Sequence, residues 1–381
     1  YAYPGPQSVQ TPAPKGYKPF YISHFGRHGS RWLIAPETFD KCFAVLGEAK
    51  EQGVLTELGQ SVYDRVKATR EDHLYRHGDL SPLGYCQHQE IADRMYKSFP
   101  EVFKGEKHIY AKSTRVSRVM TSMYAFCSTI KGHNPRLQLE VNASHRDRQQ
   151  VDSITAECRQ WRNGEEQLRL KEEFFDKHVD PSRLMHSLFD SESFISAIDS
   201  RFMFKALAEM ATIQQNVGNI VDLYDIFTFD ELFAGWQYAN IDYYTAKGPW
   251  NGKAEITVPG AVPILKAIIE AADKAIEDGD IAANLRFSHD SYVVPLATTL
   301  QLDGARNGQA PLDEAWTVFA NYKISPMAGN IQLIFFRSSH GPVLVKFLLN
   351  ENEVGIPAKT DCYPYYKWDD VKAYYAKCYD L

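Results

Sequence analysis

Six cysteines are scattered through 381 residues, at 42, 86, 127, 158, 362 and 378, and no two of them form a CxxC pair. That spacing argues against a disulfide-framed scaffold and against a structural zinc site. Cys362 and Cys378 are close enough in the tail to be a candidate bridge in an oxidising compartment, and the other four read as buried thiols. No apolar run approaches the roughly 18 residues of a membrane-spanning helix; the best stretch, IQLIFF, has the length of a strand. Basic excess is lacking too. The net charge is −6, which argues against a nucleic-acid partner and makes any anion site a local one. The Walker phosphate loop, the GxGxxG fingerprint and the GxSxG elbow are all missing, which disfavours a nucleotide kinase, a Rossmann dehydrogenase and a serine hydrolase of standard pattern.

What is present is the material of an ordinary globular protein, 44% hydrophobic and 24% charged. The length exceeds the ceiling of about 250–300 residues for one core, so a larger and a smaller part are expected. The leader YAYPGPQSVQTPAPKG carries four prolines in sixteen residues and should be extended and loosely held. It lacks a starting methionine, so it reads as a processed form whose signal peptide has gone, and an extracytoplasmic location (periplasmic or secreted) is expected.

After the leader, YKPFYISHF reads as a buried strand ending at Gly26. The phrases VLTELGQSVYDRVKA and DLSPLGYCQHQEIADRMYK each place Thr or Ser at an N-cap, glycine in the first turn and apolar residues at helical spacing. Both are expected as helices on the sheet. HIYAK reads as a short strand, followed by a turn and a helix from about Val116. Between about residues 146 and 252, segments such as ECRQWRNGEEQLRLKEEFF have helical periodicity and few strand-like runs. VPGAVPILKAIIEAADKAIEDG is a further helix stopped by Gly279. LRFSHDSYVVPLATTLQL reads as strand, polar turn and helix, and GNIQLIFFRSSHGPVLVKFLLNENEV as a β-hairpin.

The chemistry concentrates in Arg27-His28-Gly29-Ser30-Arg31, where three cationic side chains crowd the end of a strand. Like charges so close make sense if an anion sits among them. Far downstream, His289-Asp290 again follows a strand, and between them Arg118 opens a helix with Ser122 and Phe126 four and eight residues on. This set, with LSPLGYCQ and the closing hairpin, resembles the histidine phosphatases of the acid-phosphatase and phytase branch, the multiple inositol polyphosphate phosphatases included. The likeness covers nearly the whole chain. Two positions differ from the pattern: Leu33 stands where the family often has proline, and Ala35 where phytase-like members often have lysine. The inositol polyphosphate group also often has His-Ala-Glu where this chain has His-Asp.

The resemblance implies an α/β fold, a phosphoglycerate-mutase-like mixed sheet flanked by helices with an inserted, mainly helical cap domain. Residues 1–16 would be the extended leader, 17–145 with 253–381 the α/β domain, and 146–252 the cap. It implies a phosphomonoester hydrolase with His28 as the nucleophile that is transiently phosphorylated. Arg27, Arg31 and Arg118 would clamp the phosphate, His289 would add a donor, and Asp290 would protonate the leaving alkoxide. No cofactor and no metal is expected. The expected partner is a small phosphorylated substrate of the sugar or inositol phosphate class, with no nucleic acid and no membrane span. The rival readings are a phosphotransferase or mutase on the same fold and a non-catalytic phosphoester-binding protein.

Residue chemistry supports these roles independently. Guanidinium groups match phosphate oxygens with paired hydrogen bonds. Their charge also keeps an imidazole neutral below its free pKa of about 6.5, and only the neutral ring can attack phosphorus. Other features have blander readings. His24 and His28 stand four apart, but Gly26 and the strand context spoil a helical metal pair, and no Glu follows His24 as in HExxH. His73 and His77 read as a solvated helix face, and Arg115 as a solvated or neighbouring charge. The basic residues from Arg146 to Lys171 read as a mixed, solvated helix surface. Trp32 either shapes the substrate mouth or packs beneath the cap.

Overall fold

The computed structural model describes residues 1–218, 220–306, 308 and 310–380. An eight-stranded mixed sheet runs in the order β3-β2-β4-β1-β5-β6-β7, with β8 also paired to β6. The strands are β1 (Lys18–Arg27), β2 (His108–Ser113), β3 (Gln138–Asn142), β4 (Ile281–Ser288), β5 (Asn330–Arg337), β6 (Leu344–Leu349), β7 (Asn352–Val354) and β8 (Tyr365–Lys367). Neighbours from β3 to β1 pair parallel, and those from β1 to β7 antiparallel. β1 is buried on both faces, as the apolar run in YKPFYISHF requires.

Ten helices of at least ten residues accompany the sheet among the described residues: α1 (Pro36–Gln52), α2 (Glu57–His73), α3 (Pro82–Ser98), α4 (Ser117–His133), α5 (Glu165–His178), α6 (Ser200–Val217), α7 (Phe229–Ala246), α8 (Val262–Asp278), α9 (Asp290–Thr299) and α10 (Trp368–Tyr379). The two capped phrases fold as their sequences predict. The Thr56 hydroxyl accepts from Gly59 N–H at 2.9 Å, and that of Ser81 from Gly84 N–H at 3.2 Å. α8 buries Ile264, Leu265, Ile268, Ala272 and Ala275 along one stripe and stops at Gly279, whose φ of 73° is left-handed.

Three apolar clusters result. One joins α8, α9 and α10 to one sheet face, and a second joins α3 and α4 to the other through Ile91, Met95, Val119 and Phe126. The third contains Phe39, Leu46, Val62 and Val66 of α1 and α2 with Leu184, Met203, Leu207 and Phe227 of the long helical segment. So α2, expected on the sheet, packs instead with helices between residues 182 and 227, because its apolar stripe matches theirs. Periodicity reveals a buried face but not its partner.

Several other expectations are corrected. The leader is extended but firmly tied. Thr11 N–H and hydroxyl donate to Glu353, Tyr365 and Lys346 donate to Thr11 O, and Tyr3 donates to Glu351 at 2.8 Å. Its prolines remove donors, and side chains of β6, β7 and β8 satisfy what remains. The SHDS stretch holds no separate turn, since α9 begins at Asp290 directly after His289. His73 ends α2 with a fully buried side chain, its Nδ1 hydrogen-bonded to Thr69 O at 2.8 Å and its ring against Phe39; His77 lies beyond the helix, so no shared solvated face exists. Cys362 and Cys378 are free and exposed, and Cys86 is exposed rather than buried.

Candidate active site

The parallel strands β1, β4 and β2 end together, with Arg27 level with Ser288 and Ser113 level with Phe287. The carboxyl ends of such strands form the crevice where open α/β sheets bind ligands. β1 delivers Arg27 to Arg31, β4 delivers His289 and Asp290, and β2 leads through Thr114 into α4 and Arg118. Segments more than 250 residues apart in sequence meet here because β1 lies between β4 and β5.

The Arg27–Arg31 loop is held by backbone hydrogen bonds at Arg27 and His28 and by side-chain partners at Gly29 and Ser30. Arg27 N–H donates to Gly329 O at 2.7 Å, His28 N–H to Ser288 O at 3.0 Å, and Ala328 N–H to His28 O at 2.8 Å. Ala328 has a φ of 58°, an uncommon conformation for a residue with a side chain, and the turn Ser325–Asn330 that contains it also accepts Arg27 Nη1 at Ser325 O, 2.7 Å away. Gly29 N–H donates to Ser122 Oγ at 3.1 Å, and that hydroxyl donates to Arg118 O at 2.8 Å. Arg118, Ser122 and Phe126 thus lie along one face of α4, and Phe126 packs on the buried His24 ring at 5.0 Å. That contact gives His24 a core role.

Glycine at 29 and at 84 is a steric requirement. A Cβ on Gly29 would lie 2.3 Å from Gly84 O, and one on Gly84 would lie 2.1 Å from Ser30 O and 2.6 Å from Ser30 N. The loop sits directly on the first turn of α3, where Gln87 accepts Ser30 N–H at 2.9 Å. Gly84→Ala is therefore expected to cost about 2–3 kcal/mol of stability, read as a lower denaturation midpoint, with a loss of activity. An unchanged midpoint would disprove the close contact.

His28 is buried, and its Nδ1 lies 2.9 Å from Gly29 O. A carbonyl only accepts, so Nδ1 carries the hydrogen and Nε2 keeps its lone pair. Burial, followed by the charge of Arg27, pushes the His28 pKa well below the ordinary imidazole value; Arg31 and Arg118 add to this, while the bond to Gly29 O opposes it. His289 is pushed down to about 4, mainly by burial and then by Arg118. Its Nε2 is 3.1 Å from Thr114 Oγ1, and its ring centroid is 5.6 Å from that of His28. Arg31 is pulled down to about 10 by burial and by Arg27 and Arg118, as expected for crowded cations.

Asp290 faces this group, its Oδ1 4.0 Å from Arg27 Nη2. Burial acts to raise its pKa, but the charges of Arg27 and Lys247 and a hydrogen bond from Tyr243 outweigh that and hold the carboxyl well below the usual carboxylate range. Arg27, His28, Arg31, Arg118, His289 and Asp290 are thus gathered at one place. Trp32 is buried, donates Nε1–H to Asp72 at 2.8 Å and lies under Arg76, so it packs as a support and not at a mouth. Arg115 is exposed and contacts His145.

Sequence reasoning missed the turn Ser325–Asn330, Thr114, Gln87, Tyr243 and Lys247. Pro326 and Gly329 marked a turn, but nothing marked its carbonyls as ligands of Arg27. Tyr243 and Tyr244 are adjacent and chemically alike, and only the packing of α7 tells which one meets Asp290.

The fold has counterparts of known structure. The multiple inositol polyphosphate phosphatase of Bifidobacterium longum, in complex with inositol hexasulfate, superposes with a TM-score of 0.84 at 17% identity, covering 99% of this chain and 97% of that one. The phytase from D. castellii gives 0.71 at 15% identity over 99% and 82%. Hafnia alvei phytase in complex with myo-inositol hexakis sulphate gives 0.55 at 11% over 96% and 98%. At such identities the likeness is one of fold. No curated protein sequence matches the chain. The family model of the histidine phosphatase superfamily (branch 2) matches residues 71–350, a span that begins after the Arg27–Arg31 signature, so match and signature point the same way independently. The chain therefore belongs to the histidine phosphatase superfamily, branch 2, and is a phosphatase.

Proposed function

We propose that the protein hydrolyses small phosphomonoesters through a phosphohistidine at His28. One observation carries this reading: an imidazole with Nδ1 tied to Gly29 O, and hence a free lone pair on Nε2, lies among three guanidinium groups with a carboxyl across from it. Catalysis of phosphoryl transfer is mostly positioning and charge stabilisation. Arg27, Arg31 and Arg118 hold the non-bridging oxygens, and His289 adds a donor. Nε2 of His28 bonds to phosphorus as the bond to the leaving oxygen breaks, and Asp290 gives that oxygen its proton. Water then attacks the phosphohistidine, Asp290 takes the water's proton, and phosphate departs from a neutral His28.

Asp290 must be protonated to act first, yet Arg27 and Lys247 favour its carboxylate. A phosphate dianion beside Arg27 reverses that balance and raises the Asp290 pKa. Raising the pH through that value removes the acid, so turnover falls on the alkaline side. On the acidic side His28 stays neutral to low pH, and an acidic optimum results. An extracytoplasmic site of action fits that range.

The substrate class we favour is inositol polyphosphates and sugar phosphates. Beside His289, Arg162 donates to Ser291 O at 2.8 Å, which brings one further guanidinium close to Asp290 at the edge of the cradle. The deciding assay is phosphate release from phytate, a sugar phosphate and a nucleotide at pH 4–7 with chelator present. Release from phytate and the sugar phosphate, fastest at the acid end, is expected. No release from any of the three would end the proposal.

A further inference from the structure

Helix α7 crosses the site with Asn240 and Tyr243 three residues apart on one face, and Lys247, four residues on, is the C-cap just past its end. Asn240 ties the helix to the turn before Ser325: its Nδ2 donates to Phe319 O and its Oδ1 accepts Asn321 N–H, each at 2.8 Å. One turn on, the Tyr243 hydroxyl donates to Asp290 Oδ2. One turn further, Lys247 Nζ stands 3.8 Å from the Tyr243 ring centroid and 3.6 Å from Asp242. The Lys247 side chain is only 14% exposed, so its ammonium is spent on this cluster.

We propose that Tyr243, backed by Lys247, is a positioning residue for the leaving-group step, fixing which oxygen of Asp290 carries the proton. The inference rests on Asp290 being the general acid. While the phenol donates to Oδ2, the acidic proton is left to Oδ1, the oxygen that faces Arg27 and therefore the phosphate. A proton on Oδ2 would leave Tyr243 a much poorer acceptor and point the acid away from the ester. Lys247 contributes twice. Its charge against the ring face holds the ring in place, and a nearby cation makes the hydroxyl a stronger donor. The inserted helices thereby take part in the chemistry: when α7 is docked, the acid is aimed.

The groups facing Asp290 set the sign of the pH effect. Arg27 comes from β1, Arg118 from α4, Tyr243 from α7 and Lys247 from its C-cap, His28 and Arg31 from the loop after β1, and His289 precedes Asp290 in sequence. Arg162, from the short helix Ala156–Arg162, reaches the start of α9. Tyr243 and Lys247 both favour the carboxylate, so removing either raises the Asp290 pKa and moves the alkaline limb of the kcat profile to higher pH.

The test uses the full chain with Tyr243→Phe and Lys247→Met, measured against pH with glycerol phosphate (a poor leaving group) and p-nitrophenyl phosphate (a good one). Tyr243→Phe is expected to lower kcat/KM on glycerol phosphate about 10-fold and on p-nitrophenyl phosphate much less, with the alkaline limb of the kcat profile moved up. Lys247→Met should move the same limb in the same direction. Equal losses on both substrates with an unmoved limb in both variants would overturn the proposal and leave a merely structural contact. If Asp290→Asn itself shows no leaving-group dependence, the underlying assignment of the acid fails instead.

Discussion

His28→Ala is expected to release phosphate at least about 10⁴-fold more slowly than the unaltered protein, with little change in folding. The loop around position 28 is fixed by backbone groups, His28 N–H to Ser288 O and Ala328 N–H to His28 O, which alanine retains. The side chain contributes one internal bond, to Gly29 O, and its loss leaves that carbonyl in a pocket rich in other donors. The guanidinium cradle should therefore still bind phosphate, while no atom remains at the place from which Nε2 attacks. Two measurements check this: phosphate release between pH 4 and 7, and rapid-quench trapping of an acid-labile, base-stable phosphoenzyme, present in the unaltered protein and absent in the variant. Undiminished turnover by His28→Ala would move the nucleophile elsewhere.

The second large effect is expected at Asp290. Asparagine keeps the shape and can still accept from Tyr243, but it has no proton to give. The kcat/KM for an alkyl phosphate, which reads only the steps up to phosphoenzyme formation, should fall roughly 10²–10⁴-fold, while that for a p-nitrophenyl ester, whose leaving group departs as an anion unaided, should fall far less. The alkaline limb seen with alkyl substrates should vanish with the carboxyl. Equal slowing of both ester types would show that residue 290 shapes the site without protonating the leaving group.

The strand before His28, the two capped helices, the Arg118 helix, the strand before His289 and the closing hairpin could all be read from the sequence, because each has a strong local signature. Strand alternation, a Thr or Ser cap and a glycine stop act over a few residues. Arg27, His28 and Arg31 were legible for a related reason, since arginine and histidine crowded at a strand end are costly unless an anion is to be held; Arg118, His289 and Asp290 were singled out by the resemblance. What could not be read depends on partners far along the chain. α2 shows a buried stripe that fits a sheet or a helix equally well, and only the volume offered by Leu184, Met203 and Leu207 decides. The leader lacks any pattern of its own, since Glu353, Tyr365 and Lys346 supply its hydrogen bonds from beyond residue 340. Tyr243 is invisible for the same reason: a tyrosine on an amphipathic helix looks like core until Asp290 is placed against it.

The position of β1 between β4 and β5 has a consequence for how the molecule is made. Lys18–Arg27 leaves the ribosome more than 250 residues before either of its partners, residues 281–288 and 330–337. Until those partners emerge, an aromatic, two-sided strand waits with both edges open, the condition that invites pairing between nascent chains. Folding dominated by such distant pairing is slow, so a chain halted before residue 337 would hold the nucleophile loop without the framework that shapes it.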